Sequence, residues 1–305
     1  MTLTVVIPAW NSAASIVRVL CALRPQLLPH DAVVVVDDGS TDATPELIPQ
    51  EQLLFGGRLH FTRQEHRGAA AARNHGMAVS TTDLVLFLGA DMLPAASLLA
   101  RHRAVHQQYP EETTGCLGFV TWDPLLPPTP FMVWLEHGGS QNAYGEIAGL
   151  RWVDLARYCY GSNISFKRTF VQRARGFDEQ NFRTYGWEDL DLGIRLAARG
   201  GRIYYEPSAR AYHAHHYSFD SWVRRQTLAG ESFVTIARIH PTRESLPRTA
   251  VGMRYAARRF LHHFPLGASL RSLARHSERR WILPGLYARV SGWVFTKSVH
   301  QRLAR

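Results

Sequence analysis

Residues 32–42, Ala-Val-Val-Val-Val-Asp-Asp-Gly-Ser-Thr-Asp, decide the fold. Four consecutive valines lack the alternation of a half-exposed strand and read instead as a strand buried on both faces of a parallel sheet. The run stops at Asp37-Asp38. Gly39 then permits a sharp turn, and Ser40 or Thr41 offers a side-chain oxygen that starts a helix. Strand, acidic turn and helix together form half of a βαβ unit.

Working outward, the same pattern recurs on both sides. Leu3–Pro8, Leu59–Thr62 and Leu84–Leu88 read as further strands, and Ala13–Leu23, Ala69–Val79 and Ala95–Gln108 carry apolar residues at helical spacing. Asn11 or Ser12 is placed to open the first of these helices. Beyond them, residues 124–149 are rich in Pro, Gly and aromatics and read as a loop around a short helix beginning near Pro130. Gly161–Phe166 and Arg202–Tyr205 read as strands, Leu190–Ala198 as a helix, and the chain from Phe219 onward as mainly helical. The expected class is α/β, with one large domain over residues 1–244 and a helical extension over 245–305.

Composition sets limits on function. The chain has 305 residues, a net charge of +10 and three cysteines. Cys21, Cys116 and Cys159 show no paired or metal-binding spacing, which favours a reducing cytoplasm over a disulfide framework. The N-terminal run reads as a strand and not as a secretory signal. The most apolar candidate for a membrane span, Trp281–Thr296, is broken by Pro284 and Arg289. Charge is concentrated in residues 245–305, which hold twelve Lys/Arg against the single acid Glu278, while residues 1–244 are close to neutral. Tyr255–Leu261, Trp281–Leu283 and Trp293–Phe295 mix aromatic and aliphatic side chains into that basic stretch. Such a segment is expected to lie peripherally on an anionic membrane surface. No zinc-finger spacing, helix-turn-helix or aromatic RNA-binding motif accompanies the charge, so nucleic acid is not an expected partner.

Ligands of parallel α/β sheets bind beyond the carboxyl ends of the strands, which directs attention to the polar residues that follow each apolar run. Four such places line up: Pro8-Ala9-Trp10-Asn11, Asp37 to Asp42, Arg67-Gly68 with Arg73-Asn74, and Gly89-Ala90-Asp91. Taken alone, Asp-Asp-Gly-Ser-Thr-Asp is also an ordinary turn and cap, and Asp37 is expected to brace its loop. Further on, Gly186-Trp187-Glu188-Asp189-Leu190-Asp191 sets carboxylates at a helix start, where the helix dipole favours their ionised form. Asp191 and Arg195 are spaced i, i+4 for an ion pair.

Seven motifs in order make the pattern specific. VVIPAWN (5–11), VVVVDDGSTD (33–42), RGAAAARNHGM (67–77), LVLFLGADMLP (84–94), GSNISFKR (161–168), RGFDE (175–179) and GWEDLDLGIRLAARG (186–200) together resemble the family 2 glycosyltransferases of the GT-A fold. The resemblance implies a Rossmann-like mixed, mainly parallel sheet flanked by helices. It also implies inverting transfer from a nucleotide-sugar, usually a UDP-sugar, to a saccharide or lipid-linked acceptor hydroxyl in cell-surface polysaccharide or glycolipid synthesis.

Carried over by position, Pro8, Ala9 and Trp10 border the nucleobase, Asp38 accepts its ring N–H, and Arg67 and Arg73 approach the nucleotide. Ala90 and Asp91 face the donor diphosphate. The family's Asp-x-Asp metal motif is reduced here to Gly89-Ala90-Asp91, which leaves Asp91 as the carboxylate ligand for Mn²⁺ or Mg²⁺. His213, within the cluster Tyr212 to His216, is the expected second ligand, with the choice among these histidines open. Full activity in excess chelator would mark a metal-independent variant, and in that case restoring the missing acid as Gly89→Asp is expected to change little. Asp189 is the expected general base, and Glu188 binds acceptor or orients the site. Trp122, Trp134 and Trp187 are the expected acceptor-side aromatics.

Two other readings compete. A nucleotidyltransferase requires a glycine-rich, basic triphosphate loop near the N-terminus, and VVIPAWNSAAS contains none. A catalytically silent sugar-nucleotide or polysaccharide-binding protein of the same fold is compatible with the lost acid at Gly89, but not with the retained Asp189.

Overall fold

The computed structural model describes residues 1–137, 143–241 and 284–303. Tyr255–Leu261 and Trp281–Leu283 lie outside the described residues. The chain divides into two compact units, the first formed by residues 1–126, 146–183 and 188–215, the second by residues 127–145, 184–187 and 216–305. This division differs from a boundary at residue 244, because residues 216–241 group with the C-terminal part.

The first unit holds the sheet. In chain order it comprises β1 (Leu3–Ala9), α1 (Ile16–Leu23), β2 (Ala32–Asp38), α2 (Thr44–Gln52), β3 (Leu59–Gln64), α3 (Ala69–Ala78), β4 (Leu84–Leu88), β5 (Met92–Pro94) and α4 (Leu98–Gln108). After β6 (Thr114–Trp122) and α5 (Pro130–His137), the latter in the second unit, come β7 (Trp152–Val153), β8 (Asn163–Lys167), α6 (Arg168–Arg173), α7 (Glu188–Ala197) and β9 (Arg202–His213). The nine strands run β3-β2-β1-β4-β8-β6-β9-β5, with β7 on β9.

The sheet is mixed in a definite way. β3, β2, β1 and β4 are mutually parallel, as are β6 and β9, whereas β8 enters antiparallel to both β4 and β6. Val33 to Val36 are buried on both faces, as the valine run requires. α1 buries Ile16, Val19, Leu20 and Leu23, the spacing of one helical face. The insertion of β8 between β4 and β6 brings the start of β8 beside the end of β4, which positions the site described below.

The second unit contains α5, α8 (Phe219–Ile239) and a C-terminal helix, α9 (Pro284–Leu303). Phe131 and Trp134 of α5 meet Phe219 and Trp222 of α8 in an aromatic cluster with centroid separations of 5.6–5.9 Å. α9 packs on α8. Phe295 stacks edge-on against Phe233, and Ser298 donates to the carbonyl of Thr227. Val290, Val294 and Val299 are buried. The apolar residues expected around Trp293–Phe295 to face lipid are therefore spent on helix packing. No helix among the described residues is long and apolar enough to cross a membrane, and the three cysteines are free thiols.

Candidate active site

Asp38 is the last residue of β2 and is 3 % exposed. Its carboxylate accepts the backbone N–H groups of Arg67 and Gly68 at 2.9 and 2.8 Å and the Gln64 amide at 2.8 Å. Nδ1 of His66 lies 2.9 Å from Oδ2. These four contacts match the four lone-pair sites of a carboxylate. Asp38 stands at the strand end as expected, holding the 64–68 loop. Asp37 braces its own turn, accepting from Ser40 N–H and facing Arg63 at 3.0 Å, and Gly39 turns at φ +72°.

The β1 loop closes on this turn. Asn11, at a left-handed φ of 49°, donates its N–H to Ser40 Oγ, and its side-chain oxygen accepts from Thr41 and Asp42. Pro8 and Ala9 complete β1, and Trp10 is 55 % exposed and stacked on His66 at 4.8 Å. An open aromatic face therefore sits beside the Asp38 loop. Arg67 is exposed and pairs with Glu179 at 3.5 Å.

Arg73 lies inside the fold. It is buried, and its guanidinium contacts Glu188 Oε1 at 2.8 Å and the Gly161 carbonyl at 3.3 Å, over the ring of Phe177. A cation so enclosed is committed to a buried carboxylate, since leaving either charge alone in the interior costs several kcal/mol.

Glu188 and Asp189 open α7, which carries three acids in its first turn. Asp189 accepts the N–H of Gly161 at 3.0 Å on Oδ2 and that of Leu190 at 2.8 Å on Oδ1. Burial first, and the neighbouring Glu188 carboxylate second, raise its pKa from 3.8 to about 6. A carboxyl poised there is basic enough to accept a hydroxyl proton and remains ionised at neutral pH. Asp191 forms the expected i, i+4 pair with Arg195 inside α7, at 2.8 Å, while Arg195 also donates to the carbonyls of Ala174 and Gly176.

Asp91 lies between β4 and β5. Its carboxylate is 3.4 Å from Nδ1 of His215 and 3.8 Å from Nδ1 of His213. His213 is not beyond its strand as expected but is the last residue of β9, paired with Met92 and Trp122. Bonds to backbone carbonyls fix this corner: Ala214 N–H donates to that of Asp91, and Ser15 Oγ to that of Ala90. Arg18 adds a tie that sequence reasoning missed, contacting Asp123 at 2.7 Å and the Ala214 carbonyl at 3.2 Å. Gly89 is crowded. A Cβ there meets Asp91 Oδ1 and Met92 Cγ, each at 2.9 Å, so an acid at this position presses on the Asp91 carboxylate.

The acceptor aromatics fare differently. Trp122, in the first unit, is buried with its ring 5.0 Å from that of His213. Trp134 belongs to the aromatic cluster of the second unit. Trp187 adopts φ 74°, donates its indole N–H to the Ala229 carbonyl at 2.7 Å, and packs on Phe233. Trp187 thus anchors α8 through its polar handle and through the edge contact of its ring.

One connected set of contacts joins the three acids. The loop held by Asp38 leads into α3, α3 carries Arg73 to Glu188, Gly161 binds both Arg73 and Asp189, and the next carbonyl, Ser162, accepts the N–H of Gly89 at 3.1 Å. The glycosyl transferase family 2 model matches residues 4–120, which hold the Asp38 and Asp91 elements, and the model for the N-terminal domain of galactosyltransferase matches residues 146–217, which hold Asp189. The chain belongs to glycosyl transferase family 2.

Relatives agree with this membership. The Pre-mycofactocin glycosyltransferase of Mycobacterium tuberculosis is 30 % identical over 78 % of this chain and 48 % of its own length. The Succinoglycan biosynthesis protein ExoU of Rhizobium meliloti is 40 % identical over 65 % of this chain and 57 % of its own. The chain spans about half the length of the curated relatives it matches. Among solved structures, a mannosyltransferase from Pyrobaculum calidifontis in complex with GDP-Man and Mn²⁺ superposes with a TM-score of 0.58 at 21 % identity, covering 99 % of this chain and 86 % of that one. The fold is the GT-A glycosyltransferase fold.

Proposed function

We propose that this protein is an inverting glycosyltransferase that uses Asp189 as general base to move a sugar from a nucleotide-sugar, in the first instance a UDP-sugar, onto an acceptor hydroxyl. The observation that carries the reading is the connected set of contacts joining the Asp38 loop, the Asp189 carboxylate and the Asp91 loop in one unit. A carboxyl raised to about 6 by burial and by Glu188, with both oxygens held at a helix start, supports a general base over a silent binding site.

In this reading the nucleobase lies against Trp10, and its ring N–H takes the place of the half-exposed His66 at Asp38. The acceptor hydroxyl passes its proton to Asp189 as its oxygen bonds to the anomeric carbon. The carbon–oxygen bond to the diphosphate breaks on the opposite face, and the nucleoside diphosphate leaves with the bonding pair. Asp91, with His213 or His215, is a carboxylate and imidazole set that suits Mn²⁺ better than Mg²⁺. A bound divalent ion supplies neutralisation of the diphosphate charge. Among the described residues no three metal-binding side chains cluster, so Asp91 and a histidine would hold the ion together with donor and water oxygens.

The printed name of the succinoglycan relative supports a saccharide acceptor in cell-surface polysaccharide or glycolipid synthesis. The basic composition of residues 245–305 supports a cytoplasmic protein that meets an anionic membrane surface peripherally. The experiment is release of nucleoside diphosphate from purified protein across a panel of UDP- and GDP-sugars, with Mn²⁺ and with chelator. Turnover of one donor class supports the enzyme. Tight binding without release from any donor supports the silent binding protein. Sedimentation with anionic vesicles at low salt, reversed at high salt, tests the membrane contact.

A further inference from the structure

The buried polar groups around Asp189 form a second layer whose purpose the reaction itself does not require. Arg73 reaches 115 positions along the chain to Glu188. Its guanidinium has two acceptors, Glu188 Oε1 at 2.8 Å and the Gly161 carbonyl at 3.3 Å. Gly161 is bound from both ends, its carbonyl by Arg73 and its N–H by Asp189. A side chain there crowds both groups: a Cβ on Gly161 lies 3.0 Å from Arg73 Nη2, 3.1 Å from its Cζ and 3.3 Å from the Asp189 Cβ, so these neighbours must shift by a few tenths of an ångström to admit it. The peptide of Gly161 is thus a spacer of fixed thickness between one cation and one carboxylate.

We infer that Arg73 is a positioning residue for the general base, holding Glu188 and the Gly161 peptide so that the Asp189 carboxylate points along one direction. This rests on the assignment of Asp189 as base. Only the fork of an arginine serves two acceptors at fixed mutual angle; a lysine ammonium is a point charge on a flexible stem. Five groups act on Asp189 here: Glu188 beside it, the N–H groups of Gly161 and Leu190, Arg73 behind Gly161, and the Cys159 thiol. Of these, Arg73 alone carries a positive charge, and it balances Glu188 directly. Loss of the fork frees both Glu188 and the Gly161 peptide, and the base loses its aim while the Asp38 loop keeps its own bonds.

The test uses the full chain, UDP as binding probe, and UDP release from the UDP-sugar that the donor panel identifies, with water as acceptor. Arg73→Lys is expected to lower kcat for release by roughly 10- to 100-fold, the cost of a misdirected catalytic group, with UDP affinity and donor KM unchanged within about twofold. In a Glu188→Gln background the same substitution is expected to cost far less, because Arg73 acts through Glu188. If Arg73→Lys does not fold, as judged by its thermal transition, Gly161→Ala presses on the same fork from the other side and is expected to give the same split. A loss of UDP affinity in either variant, or additive effects in the double variant, overturns the inference and returns Arg73 to the donor. If Asp189→Asn itself retains release, the assignment of the base fails first.

Discussion

Gly161 donates its backbone N–H to the carboxylate of Asp189 at 3.0 Å, across 28 residues of sequence. This bond ties the entry of β8 to the start of α7. It places a raised-pKa carboxyl on a rigid support, and the following predictions come from that placement and from its surroundings.

The first is a pH profile. Burial and Glu188 raise Asp189 to about 6, and a general base works only when deprotonated, so kcat should fall about tenfold per unit as pH drops below about 6 and level off above it. The stability effect has the opposite sign. A carboxyl whose folded pKa exceeds its unfolded value favours folding when protonated, and that contribution is lost as pH rises through about 6. Asp189→Asn should therefore unfold at the same temperature as the parent or higher at pH 7.5, measured by thermal scanning.

The Asp91 loop yields a second prediction. Asp91→Ala should weaken Mn²⁺-dependent donor binding, read by titrating donor with and without the ion. Gly89→Asp, which looks harmless or restorative in sequence, should also lower activity, because the new Cβ sits 2.9 Å from Asp91 Oδ1 and from Met92 Cγ. Parent-like Mn²⁺ dependence in Gly89→Asp would show that Asp91 has room the structure denies it.

A third prediction concerns the support beneath the site. His102 and His106 of α4 both reach Ser165 Oγ of β8, at 2.8 and 2.9 Å, and His102 also meets Asn163 at 3.0 Å. Burial pushes His102 down to about 4 and His106 well below 6.5. Both are neutral in the fold, and the unfolded chain takes up their protons first. The stability they permit is complete above about 6.5 and is lost as pH falls from there toward about 4. His102→Ala, which leaves a cavity and strips partners from Ser165 and Asn163, should cost about 2–4 kcal/mol in urea unfolding.

The parts legible in sequence were those with local signatures. The valine run, the acidic turn with Gly39, the helix-opening acids of α7 and the Asp191–Arg195 pair all follow from adjacent residues. β6 was not visible because Gly115 and Gly118 interrupt its strand pattern. Both glycines are required there: a Cβ on Gly115 lies 2.4 Å from the Phe166 ring, and one on Gly118 lies 2.2 Å from Asn163 Nδ2. β9 was read four residues long, but it runs twelve, across Pro207 and a register shift in its pairing with β6. The partners of Arg73 and Trp187, Glu188 and Ala229, are 115 and 42 residues away and leave no local trace in the sequence. Periodicity identifies a buried face, but it does not name the residue across it.

The assignment of Asp189 as base is tested most directly by Asp189→Asn, with donor binding and turnover measured on the same preparation. The account predicts UDP-sugar affinity within about twofold of the parent and a fall in kcat of about 10²- to 10⁴-fold, the usual contribution of a positioned base. Turnover close to that of the parent from a folded Asp189→Asn protein that binds donor normally would contradict it.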